Sequence, residues 1–156
     1  MHKLAFAAAL ALFCVPTTSR ASFIIEASLG DGLATKPEIA RTATNIMIAP
    51  GVGLGEWLRV ELGILASLAD AQNKDFNMDI RPMVVVSPPL FPLYLRGIFA
   101  FTNLFNDSRS TSYGGALGTS FSLLGLGIFA ELGVLPIKNP PGGVVIEGRA
   151  GAYFAF

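Results

Sequence analysis

Nine charged side chains carry most of the chemistry that the sequence offers. Five are acids, Glu26, Glu61, Asp79, Glu131 and Glu147, and four are bases, Arg59, Arg81, Arg96 and Arg149. Each stands in an otherwise apolar stretch, as in "WLRVELGIL" or "IFAELGVL". Two carboxylates brought together could exchange a proton as general acid and base. Acids and bases brought together in an apolar interior must instead pair, because an uncompensated buried charge is expensive. Nucleophilic catalysis through a histidine base has little to draw on. The sole histidine, His2, and the sole cysteine, Cys14, both lie in the first fifteen residues. Beyond them no Ser/His/Asp arrangement and no His-ligated metal site can form. "GVGLGE" (51–56) spaces glycines like a nucleotide loop but has neither a following helix nor a lysine. No catalytic, cofactor-binding or metal-binding residue is therefore assigned, no cofactor is expected, and the chain does not read as an enzyme.

The first residues explain where that histidine and cysteine belong. His2 and Lys3 precede an unbroken apolar run, Leu4 to Val15, which Pro16 ends. Ser19 and Ala21 then put small residues at the −3 and −1 positions of a cleavage site. The run is too short to span a bilayer, so 1–21 reads as a secretory signal peptide and 22–156 as the mature domain. Phe13 before Cys14 argues against lipidation, which normally follows a small residue. The mature chain then holds nine basic and eleven acidic side chains and no cysteine. Such a balance excludes a basic nucleic-acid surface, and no disulfide framework can exist.

What positions the nine charges is a period of two. In "WLRVELGILASL", Leu58, Val60, Leu62, Ile64, Ala66 and Leu68 fall on one face, with Arg59, Glu61, Gly63 and Ser67 on the other. A helix would mix Arg59 with Leu62, whereas a strand separates them. The same separation recurs in eight segments. Glu26 lies opposite Phe23, Ile25 and Leu29; Asp79 and Arg81 lie opposite Ile80 and Val84. Arg96 lies opposite Leu95 and Phe99, Glu131 opposite Ile128 and Leu132, and Glu147 and Arg149 opposite Ile146 and Phe154. Pro50 and Pro82 fall inside these segments and place a strand end or bulge there.

Short turns ("LGEW" 54–57, "SPPLFP" 87–92, "LLGLG" 123–127) alternate with longer polar segments (30–44, 69–76, 103–112, 136–143). Apolar residues make up 52% and charged residues 14%, well below the roughly 25% charge of soluble chains. Eight strands of about 9–11 residues, long enough to cross a bilayer, fit the mature length. The expected fold is all-β, an eight-stranded antiparallel up-and-down transmembrane barrel. Its apolar face turns to lipid and its charged face turns inward. An interior of eight strands is just wide enough to be filled by side chains, so the nine charges read as a lumen network that plugs it. Used as switchable salt bridges, the same charges would make an ion path or gate. Trp57 and Tyr94 lie beside turns, where they could face outward into an interfacial aromatic girdle. "LGEWLRVELGIL" (54–65) and "LGLGIFAELGVL" (124–135) align without a gap, as a duplicated half or a recurrent hairpin sequence.

With its strands so placed, the chain resembles the small eight-stranded OmpA/OmpX-like outer-membrane barrels of Gram-negative bacteria. The last strand carries the most specific likeness: a terminal Phe156 with Phe154, Ala152, Ala150 and Ile146 alternating before it. It is similar to the C-terminal signal read by the barrel-assembly machinery, with Ala152 smaller than usual. The resemblance implies a bacterial outer-membrane location and contact with lipid and lipopolysaccharide. It also implies a structural or surface-interaction role, with a host or surface ligand at the long loops left unspecified. Enzymes of this architecture use a histidine base, which 22–156 does not contain. A narrow pore for small solutes or ions is the alternative. A soluble lipocalin-like barrel, which would face its apolar residues inward, and a helical span over 114–130 are further alternatives.

Overall fold

The computed structural model describes residues 21–55, 57–69, 78–88, 91–104, 110–137 and 142–156. The expected leader with Ser19 lies outside them, and Ala21 is the first residue of β1. Eight long strands form the wall: β1 (Ala21–Ala34), β3 (Asn45–Leu54), β4 (Leu58–Ser67), β5 (Met78–Val86), β6 (Leu93–Thr102), β7 (Ser110–Leu123), β8 (Leu126–Ile137) and β9 (Gly143–Ala155). A two-residue β2 (Ala40–Arg41) pairs with Leu33 and Ala34 at the end of β1. Each long strand pairs antiparallel with the next, and β9 pairs back onto β1, so no edge remains in the wall. Closure leaves no row of unpaired backbone groups to face hydrocarbon, where each would cost several kcal/mol.

β9 meets β1 over a long register, from Ile24 opposite Ala155 to Ala34 opposite Val145. Phe23 and Phe156 add a reciprocal pair of backbone hydrogen bonds of 2.9 and 3.0 Å, and their rings lie 5.3 Å apart. Within this seam Glu26 sits opposite Tyr153 and Arg149 opposite Gly30, two separate levels of one contact.

Both prolines stand where a ladder is interrupted. β3 and β4 pair on either side of Ala49 and Pro50, and β5 and β6 on either side of Arg81 and Pro82. The missing N–H explains the placement, since each proline keeps its partner strand on the other side. The tightest turn, Leu124-Gly125 between β7 and β8, has φ of 54° and 84°. Two positive φ values are the hairpin geometry that matches strand twist.

Strand boundaries differ most from the sequence reading in two places. β1 runs through Ala34, so residues 30–34 are wall and the connection begins at 35. β7 begins at Ser110, so 110–112 are wall as well, while 105–109 lie outside the described residues. The candidate helical span 114–130 is divided between β7 and β8. No described helix is long and apolar enough to cross a membrane, which says nothing of strands.

The two faces of the wall are chemically opposite. Ile25, Leu29, Ile48, Val60, Leu62, Leu95, Phe99, Leu132 and Phe154 all point outward and are exposed. Glu26, Glu61, Arg81, Arg96, Glu147 and Arg149 point inward and are buried. A soluble lipocalin-like barrel would require the reverse.

Candidate functional site

Inward residues of six strands assemble two charge clusters at different depths. Arg96 of β6 is the hub of the first. It donates two parallel hydrogen bonds to Glu26 of β1, at 2.9 and 2.6 Å, the bidentate geometry that suits guanidinium and carboxylate. Its Nε lies 3.2 Å from Glu131 of β8, and a terminal nitrogen lies 3.5 Å from Glu61 of β4. Tyr94 Oη donates to Glu131 at 2.7 Å. Arg59 Nε approaches Glu61 at 3.6 Å, beyond hydrogen-bond length. Among the described residues neither oxygen of Glu61 accepts a hydrogen bond, although its side chain is fully buried.

The second cluster inverts the first. Glu147 of β9 is its hub, accepting a 2.7 Å bond from Arg81 of β5 and another from Arg149 two residues along its own strand. Neutral groups assist: Arg149 donates to Asn45 Oδ1 at 2.6 Å and to Ser28 Oγ at 3.2 Å. Asp79, also assigned to the lumen network, accepts a 3.0 Å bond from the Asn103 backbone near the long-connection end of β5.

Between the clusters lies a cavity of about 10 Å³, about the room one water needs. Glu131, Glu147, Arg81 and Arg149 contribute to its lining beside Met47, Met83, Ile98, Ala116 and Leu135. These apolar inward residues belong to a buried cluster that also contains Leu65, Ala49 and Ala100. The interior is thus partly apolar, which the charged parity alone did not reveal.

Tyr94 departs from the girdle expectation. It is 1% exposed and lies inside, packed edge-on against Phe129 at 6.4 Å, while Trp57 is exposed beside its turn as expected. The reason is room and a partner. Gly118 stands directly opposite Tyr94 in the β6–β7 register, and a Cβ there would come within 2.3 Å of the ring. Gly127 opposite Tyr153 makes the same slot, where a Cβ would come within 2.2 Å of the ring. An inward glycine in register with a tyrosine was the sequence signal for a ring lying across the lumen.

The two aligned segments meet at Arg96. Glu61 and Glu131 occupy equivalent positions of 54–65 and 124–135, and β4 and β8 stand four wall strands apart. Both carboxylates reach one guanidinium from opposite walls.

No family model matches the chain, and no curated protein sequence matches it either. Solved structures do. The crystal structure of Neisserial surface protein A superposes with a TM-score of 0.60 at 18% identity, over 88% of this chain and all of that one. The N-terminal β-barrel domain of Pseudomonas aeruginosa OprF gives 0.56 at 14% identity, over 88% of this chain and 98% of that one. The chain has the fold of the small eight-stranded outer-membrane barrels.

Proposed function

We propose that residues 22–156 form an outer-membrane barrel with a structural or surface-interaction role, exported by the leader 1–21 and closed inside by its Arg/Glu pairs. The observation that carries this reading is the inversion of the two faces. A continuous exterior of Leu, Ile, Val and Phe suits lipid, and bilayer crossing requires a closed wall of this kind. Buried arginines cross the interior at two depths and are held there by short charge-assisted bonds. Lipid and lipopolysaccharide are the partners of the exterior. The barrel-assembly machinery is the partner during insertion, reading Phe154 and Phe156 on the last strand. The long connections, 35–44 among them, are the surface available to a ligand in this reading. No catalytic step is assigned, since 22–156 offers no histidine base.

Membrane fractionation with electrophoresis of boiled and unboiled samples tests the location. An outer-membrane protein whose mobility changes on boiling is expected, because a closed barrel resists detergent until heated. Recovery with the inner membrane, or identical mobility in both samples, would end the reading.

A further inference from the structure

The end of the lumen nearest the short turns contains an arrangement that filling space does not require. The guanidinium carbon of Arg59 lies 4.9 Å from the centre of the Tyr153 ring and 5.8 Å from that of Tyr94. Beside it stands Glu61, fully buried, with neither oxygen hydrogen-bonded among the described residues. Two aromatic rings and a desolvated carboxylate are the elements of a cation site.

Arg59 is held in it loosely. Its Nε donates to no described group, its one ion pair among the described residues is 3.6 Å long, and its side chain is 12% exposed, against 0% for Arg96. The cage itself is held by contacts that Arg59 does not make. Tyr153 lies across Gly127, and Tyr94 lies across Gly118, bonded to Glu131 and packed against Phe129. Shortening Arg59 therefore leaves the rings and the carboxylate in place.

We propose that this mouth of the lumen is a binding site for a guanidinium-type cation, with Arg59 as its tethered occupant. It accepts a free alkylguanidinium ion once that side chain is shortened. What Arg59 does in the native protein, closing this end, rests on the plugged reading above; the site itself does not.

The test is an NMR titration of the refolded barrel in detergent micelles with methylguanidinium, following the ring resonances of Tyr94 and Tyr153. Saturable shifts at millimolar concentration are expected in Arg59→Ala and in Arg59→Gln. They should be absent from the native protein, whose site is occupied, and not reproduced by sodium. Adding Glu61→Gln to Arg59→Ala should weaken binding about tenfold or more, the loss of a charged partner. Shifts that do not saturate, or that match those of the native protein, overturn the proposal. If neither variant refolds unaided, refolding yield becomes the readout. A yield raised by methylguanidinium and not by sodium chloride supports the site, and a yield that responds to neither overturns it. A conducting native barrel would defeat the plugged reading and leave this site standing, whereas a failed titration on a silent barrel defeats the site alone.

Discussion

The two charge clusters solve one problem with opposite stoichiometry. At Arg96 a single guanidinium serves three carboxylates, Glu26, Glu61 and Glu131. At Glu147 a single carboxylate serves two guanidiniums, Arg81 and Arg149. The first hub and its three carboxylates are dry, with side-chain exposures of 0% to 4%, and the added partner there is a tyrosine hydroxyl. The second reaches 10% and recruits Asn45 and Ser28. Removing either hub strands a set of like charges, but those in the dry cluster have less water to retreat to. The lesson is that the hub, not the number of ion pairs, decides how much each cluster contributes.

Arg96→Met should therefore have the largest effect. It leaves three facing carboxylates without their shared cation, and breaking a buried pair from one side costs about 3–5 kcal/mol. Loss of the heat-resistant form on gels, or a large drop in the urea midpoint followed by the fluorescence of Trp57, would register it. Pairing Arg96→Met with Glu26→Leu should recover a sizeable part, since apolar replacement of a whole buried pair is often neutral. Glu147→Gln comes next, at about 2–3 kcal/mol by the same measurement, because Asn45 and Ser28 still accept from Arg149. An effect larger than that of Arg96→Met would reverse the ranking of the clusters. Tyr94→Phe removes one hydrogen bond to a carboxylate while keeping the ring, so a loss of about 1.5–3 kcal/mol is expected. Arg41→Ala, at the exposed pair with Asp31, should leave the midpoint unchanged within error, because solvent screens that contact.

The wall was legible in the sequence because a period of two leaves little choice. In "WLRVELGIL" the separation of Leu62 from Arg59 and Glu61 sets strand, face and approximate register together. Glu26, Arg59, Glu61, Arg81, Arg96, Glu131, Glu147 and Arg149 all face inward as that parity implies. Which of them meet was not legible. Arg96 and Glu26 are seventy residues apart, and their contact depends on the stagger that closes the barrel. The apolar share of the interior was missed because Leu65, Val85, Ile98, Phe129 and Leu135 extend runs of apolar residues on both faces, where alternation disappears. Tyr94 was misplaced because its neighbourhood to a turn was weighed without Gly118 across the strand.

Planar-bilayer conductance of the refolded, purified barrel tests most directly whether ion pairs close the lumen. A silent trace at both low and high salt is expected from the native protein, since no pair must break for the barrel to rest. Steady conductance that rises with salt concentration would contradict it and make the charged interior a passage.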